Sequence, residues 1–259
     1  MAANWTMRGL RMVSLCLLLY GVNAPAAEPI DTDGPDFVES SEVVPKGRFQ
    51  YELDVTSVKH RRAPPDGPTV ATPLLLKYGF AENWELRIQS EGYLKQGTQS
   101  GRGDTAIGVK WHSHDRQATT GAPAVSWILH LDTPTGTTTF KGHGVRPNLR
   151  SVITWDLPYE LALGLMPGVV YDAREDGHRY PSAIFGVVLN KRITEQFRAF
   201  IELSAPQIAR STNGGTLASW DVGAAYLATH DTQIGFRAGV GANRNSPKNY
   251  ILFEIAQRF

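Results

Sequence analysis

From Arg48 to Phe259 the chain repeats a single unit, a segment in which apolar and polar residues alternate, followed by a few turn residues. In residues 48–59, Phe49, Tyr51, Leu53 and Val55 fall on one face while Arg48, Gln50, Glu52 and Asp54 fall on the other. A period of two marks a β-strand with two unlike faces, and no helical period competes with it. Further segments cover residues 70–80, 84–89, 104–111, 123–133, 146–156, 160–172, 180–191, 197–205, 217–228, 232–243 and 248–259, which makes twelve with the first.

The connections alternate as well. Short turns at Ala81-Glu82-Asn83, Leu157-Pro158-Tyr159, Ile193-Thr194-Glu195 and His230-Asp231 interleave with longer loops such as residues 97–103, 134–144 and 207–216. The stretch from Ser113 to Ala122 is the exception. Segments joined by short turns are antiparallel neighbours. An even strand number, with short turns at one end and longer loops at the other, is the outer-membrane pattern, both chain ends lying on the periplasmic side.

A β-sandwich is the soluble rival, because alternation alone does not say whether the apolar face meets lipid or a second sheet. Three features favour the membrane. Aromatics cluster beside the turns (Tyr78, Phe80, Trp84, Trp111, Trp155, Tyr159, Phe197, Tyr226), as an interfacial girdle requires. The polar faces carry full charges in strand after strand, which a sandwich core cannot bury unpaired. Finally, Ile251, Phe253, Ile255, Gln257 and the terminal Phe259 share one face, a pattern that resembles the signal read by barrel-assembly machinery.

Ahead of these segments, Arg8 and Arg11 precede an apolar run from Met12 to Val22, about a dozen residues where a spanning helix needs roughly 20. Ala24-Pro25-Ala26 before Ala27 completes a secretory signal peptide over residues 1–26. The only cysteine, Cys16, lies inside that apolar run with Leu15 before it, so the mature chain has no thiol for disulfides, Cys-metal sites or Cys catalysis. Removing Arg8 and Arg11 leaves 24 of the 26 basic residues against 25 acidic ones, which gives no support for nucleic-acid binding. Residues 27–47 are acidic, carry Pro29 and Pro35 and show no apolar period, so they read as a mobile periplasmic lead. If that lead folded into the lumen it would gate the path.

The expectation is therefore an all-β chain, a twelve-stranded antiparallel transmembrane up-and-down β-barrel over residues 48–259 in the outer membrane. The sequence also resembles the outer-membrane transporters of the MetA-pathway of phenol degradation family over roughly residues 31–259. The resemblance is carried by Asp36-Phe37-Val38-Glu39-Ser40 leading into Val44-Pro45-Lys46-Gly47-Arg48-Phe49-Gln50-Tyr51-Glu52, and by Leu76-Lys77-Tyr78-Gly79-Phe80 turning into Trp84-Glu85-Leu86-Arg87. Gly103-Asp104, Gly108-Val109-Lys110-Trp111 and Leu131-Asp132-Thr133-Pro134-Thr135-Gly136 are further landmarks, while Gly34 departs from the arginine relatives tend to carry in this segment. The resemblance implies passage of aromatic or other small hydrophobic compounds.

On the faces assigned to the lumen, charges recur: Glu52, Asp54, Glu85, Arg87, Glu91, Asp104, Lys110, Asp132, Arg150, Asp156, Arg198, Glu202, Asp221, Arg237, Glu254 and Arg258. Such groups either line a polar path or lock a narrow lumen shut with their own ion pairs. Outer-membrane phospholipases set a Ser-His pair on barrels of this size, so His112-Ser113-His114, the one tight cluster, is a candidate for catalysis and, with His112 and His114 on one strand face, for a metal site. Ser113 alternates to the opposite face from His112, and Asp115 adds no evident third ligand. The reading is a passive conduit for small solutes, with outer-membrane lipids and the barrel-assembly machinery as partners, no cofactor and no enzymatic activity. A structural or ligand-binding barrel that conducts nothing is the alternative.

Overall fold

A computed structural model describes residues 28–61, 67–117 and 119–259. The leader expected over residues 1–26, with Cys16, lies outside the described residues, as do Pro64 and Pro65. Among the described residues fifteen strand segments follow one another: β1 (Phe49–Lys59), β2 (Thr69–Ala71), β3 (Leu74–Ala81), β4 (Trp84–Ser90), β5 (Tyr93–Gln96), β6 (Gln99–Arg102), β7 (Thr105–His114), β8 (Ala124–Thr133), β9 (Arg146–Leu157), β10 (Leu161–Ala173), β11 (Arg179–Arg192), β12 (Phe197–Ile208), β13 (Leu217–Thr229), β14 (Thr232–Gly241) and β15 (Asn249–Arg258).

Every pairing is antiparallel, and the order β15-β14-β13-β12-β11-β10-β9-β8-β7-β4-β3-β1 closes on itself because β15 also pairs with β1 from Gln50↔Arg258 to Lys59↔Asn249. The result is a closed barrel of twelve staves. Closure removes the free edges that an open sheet would expose to lipid. The remaining segments β2, β5 and β6 continue three staves upward on the long-loop side, through the ladders β1–β2, β2–β5 and β5–β6. Two sequence expectations are corrected here. The segment at residues 70–80 is interrupted at Thr72-Pro73, where proline has no N–H for the ladder. Residues 97–103, expected as a loop, instead contribute the strand β6, which pairs with β5 around a tight turn at Gly97, whose φ is +60°.

The outer face is apolar. Leu53, Val55, Leu86, Ile88, Ile107, Leu129, Ile201, Val222, Ile234 and Phe253 all stand exposed on it. A continuous exposed apolar belt has no place on a soluble sandwich and is what lipid covers. Near the short-turn end, Trp84 stacks on Trp111 with ring centroids 5.6 Å apart, and Phe80 lies 6.2 Å from Trp84, so the aromatics sit where a membrane interface would place them.

The acidic lead departs most from expectation. Residues 28–47 are no solvated tail: they loop through the lumen at the short-turn end, burying Ile30, Thr32, Asp33, Val38, Ser41 and Val44. The inward faces of β8 to β12 carry an apolar patch beside their charges: Ile128, Val152, Met166, Ile184, Val188 and Phe200 form a core with Val38, against which Phe37 packs. Inward glycines make room for the lead. A Cβ on Gly186 would stand 2.6 Å from Val38 Cγ2, and one on Gly235 would stand 2.8 Å from the Pro35 ring. Gly34 itself approaches so near Glu254 that any side chain there would meet the carboxylate.

Gly186→Val should overpack this contact and cost about 1–3 kcal/mol. The loss will be read as a lower urea midpoint for the compact, unboiled gel band and as faster proteolysis of the lead.

Candidate functional site

The inner face sorts the predicted residues into an ordered lattice built around the lead. The even-numbered positions of β1 point inward, which buries Glu52 and leaves Asp54 half-buried with its Oδ1 unpartnered. On β4 the same alternation buries Glu85 and Arg87, and on β7 it buries Lys110 and His112. Because β3, β4 and β7 are adjacent staves, Lys77, Arg87 and Lys110 converge on one point of the lumen.

That point holds Asp33 of the lead. Its Oδ2 lies 3.1 Å from Lys77 Nζ and 2.9 Å from Arg87 Nη1, and its Oδ1 lies 2.8 Å from Lys110 Nζ. All four groups are at most 5 % exposed, so these charges compensate one another in place of water. Burial alone would push the Asp33 carboxyl up, yet Arg87, Lys110 and Lys77 hold it well below the usual carboxylate range. A depressed value means the interaction is fully present above the unfolded carboxylate pKa and is lost only as pH falls through the lower folded value. The anchorage therefore stands throughout the neutral range.

Three further acids of the lead repeat the arrangement at three-residue spacing. Asp36 pairs with Arg198 at 2.9 Å, Glu39 bridges Arg87 and Arg150 at 2.7 Å each, and Glu42 pairs with Arg116 at 3.1 Å. Wall carboxylates in turn accept from the lead's backbone. Glu202 takes the N–H groups of Phe37 and Val38, Glu52 those of Asp33 and Gly34, and Glu85 that of Val44.

The remaining predicted positions are dispersed. Glu254 is buried beside Gln233, and Asp221 accepts from Ser204 Oγ and Tyr250 OH at 2.6 and 2.5 Å. Arg237 lies 3.6 Å from Glu202 and over the Tyr250 ring. Arg258 clamps Asp231 and the carbonyl of Glu28 at the rim. Asp104 holds the 134–144 loop through Arg146 and the N–H groups of Gly136 and Gly142, while Asp132 is half-buried opposite Arg146.

Glu91 stands exposed beyond the end of β4, where its carboxylate accepts the Asp104 N–H, and Asp156 stands exposed at the short-turn end, paired with Arg116 and lining the cavity there. Phe259 is exposed beside Phe49, with ring centroids 6.4 Å apart. His112 and His114 do not share a face, because the ladder shifts register between them. His112 is buried against the Ser41 carbonyl, whereas Ser113 Oγ lies 3.0 Å from both the Val125 carbonyl and His114 Nδ1.

Sequence reading missed Lys77, although its alternation with Leu76 and Tyr78 pointed it inward. It also missed His130, buried on β8, whose Nε2 accepts from Arg87 Nε at 3.1 Å. Below the lead, a cavity of about 1140 Å³ opens at the short-turn end between Asp36, Glu42, Arg116 and Arg198.

Residues 32–259 match the family described as "Putative MetA-pathway of phenol degradation". The chain belongs to this family. Among solved structures, this family member is similar to the NanC porin, at 14% identity and TM-score 0.54 over 81% of this chain and 98% of that one. It is also similar to the KdgM porin, at 11% identity and TM-score 0.54 over 82% and 99%. At such identities the likeness establishes the fold, that of outer-membrane porins. No curated protein matches the sequence.

Asp33→Asn alone should destabilise the protein by about 3–5 kcal/mol, because it strands Lys110 as a buried unpaired cation. Combined with Lys110→Met it should cost less than the two single changes together, with a coupling of about 0.5–3 kcal/mol in urea unfolding of the micelle-bound chain.

Proposed function

We infer that the protein is an outer-membrane conduit for passive diffusion of small solutes whose lead closes the lumen from the periplasmic side. The observation that carries this is how the lumen is filled. Eight strands fill their interior with wall side chains, whereas twelve enclose more space, and here a separate segment fills much of it. Between residues 31 and 45 no backbone–backbone hydrogen bond joins the lead to the wall among the described residues; the backbone contacts lie at its ends, Ile30 to His230 and Gly47 to Gly79. Such a segment can withdraw without breaking the barrel's ladders.

The family's description points to aromatic compounds as the solutes. The chain is exported by a leader cleaved before Ala27 and is inserted by barrel-assembly machinery that reads the apolar face of β15 ending in Phe259. No enzymatic role is assigned, since among the described residues no acid pairs with His114, the histidine that meets Ser113, to complete a triad. The ion-paired lead favours a second reading, a barrel held permanently shut that binds or braces rather than conducts.

Deleting residues 28–44 separates the two. In planar bilayers the shortened chain should carry steady ion current where the full mature chain is largely silent, and unchanged conductance would favour the closed barrel. Intact-mass analysis of the protein from outer membranes should show a mature chain beginning at Ala27.

A further inference from the structure

Lys110 is fully buried, and among the described residues its one ion-pair partner is Asp33. A wall that carries a buried ammonium whose counter-ion comes from a separable segment is electrostatically incomplete without that segment. Its neighbours share the condition. Lys77 and Arg87 face each other across the β3–β4 ladder and both reach Asp33, while Arg87 and Arg150 share Glu39. The wall itself supplies two carboxylates to these four cations, Glu52 on Lys77 and Glu85 on Arg87. The acids of the lead provide the other two.

Withdrawing the lead therefore uncovers an arc on β3, β4, β7 and β9 with an excess of positive charge. Beside it lies the apolar patch of Ile128, Val152, Met166, Val188 and Phe200, which Val38 and Phe37 cover when the lead is seated. The lead thus presents to the wall a carboxylate next to an apolar body, Phe37-Val38-Glu39, with Asp33 as a second carboxylate under three cations.

We propose that the lead occupies a solute site by imitation, and that the solutes which displace it are small carboxylic acids with an apolar or aromatic body. The carboxylate replaces Asp33 or Glu39 on Lys77, Arg87, Lys110 and Arg150, and the body replaces Phe37 and Val38 on the apolar patch. A neutral aromatic satisfies the patch but leaves the cations bare, so it does not release the lead. This rests on the conduit reading above and narrows it to a solute class.

The test uses the full mature chain in planar bilayers at constant ionic strength, with sodium benzoate or benzyl alcohol added on the long-loop side. Benzoate should raise the frequency of conducting events at least tenfold, and benzyl alcohol should leave it unchanged. Lys110→Gln should abolish the benzoate response, and Arg150→Gln, which keeps Lys110 and guards against a folding defect at that position, should weaken it severalfold. The heat-dependent gel shift establishes that each variant is folded. Equal responses to benzoate and benzyl alcohol, or a benzoate response undiminished in both folded variants, would overturn the proposal. If the lead-deleted chain conducts while benzoate acts no differently from benzyl alcohol, the solute class is wrong and the conduit stands; if the lead-deleted chain is silent, both fall.

Discussion

A closed barrel whose strands alternate apolar and charged residues must place its charges inside, and everything else in this structure follows from how those charges are compensated. Pairing of β15 with β1 commits the apolar faces to lipid and the opposite faces to a lumen. Lys77, Arg87 and Lys110 then gather on β3, β4 and β7 with Glu85 among them, and Glu52, Glu202, Asp221 and Glu254 lie on β1, β12, β13 and β15. Too few opposite charges stand side by side on the wall to neutralise each arc alone. An isolated charge in so confined a space is costly, so a third party is needed.

The acidic lead is that third party. Its side chains at positions 33, 36, 39 and 42 each meet a wall cation, while its backbone donates to the wall carboxylates Glu52, Glu85 and Glu202. The same twenty residues also bring Val38 into an apolar core that the barrel wall would otherwise expose to water. Electrostatics, packing and the inward glycines at 186 and 235 agree on one seated position. The interactions that hold it are made by side chains of the wall rather than by a shared ladder, so the lead is firmly placed yet topologically free.

The barrel was legible in the sequence because its determinants are local. Alternation from Phe49 to Val55, the short turn at Glu82-Asn83 and the girdle of Tyr78, Trp84 and Trp111 can each be read within a dozen residues. The lead was not legible, because nothing near Asp33 reveals that Lys77, Arg87 and Lys110, 44 to 77 positions away, will surround it. A run of acids without an apolar period has the composition of a solvated tail until its partners are known. The β5–β6 hairpin was hidden for a different reason: Gln99 to Arg102 show no alternation, and pairing with β5 alone makes them a strand. His112 and His114 separated because a bulge between them interrupts a parity that sequence counting assumes.

Amide hydrogen exchange at Phe37 and Val38 in the full mature chain addresses the seated lead most directly, since both N–H groups donate to the buried Glu202 carboxylate. The account predicts protection at these two amides of the same order as in the barrel strands. Exchange at the rate of an unstructured peptide would place the lead outside the lumen and contradict it.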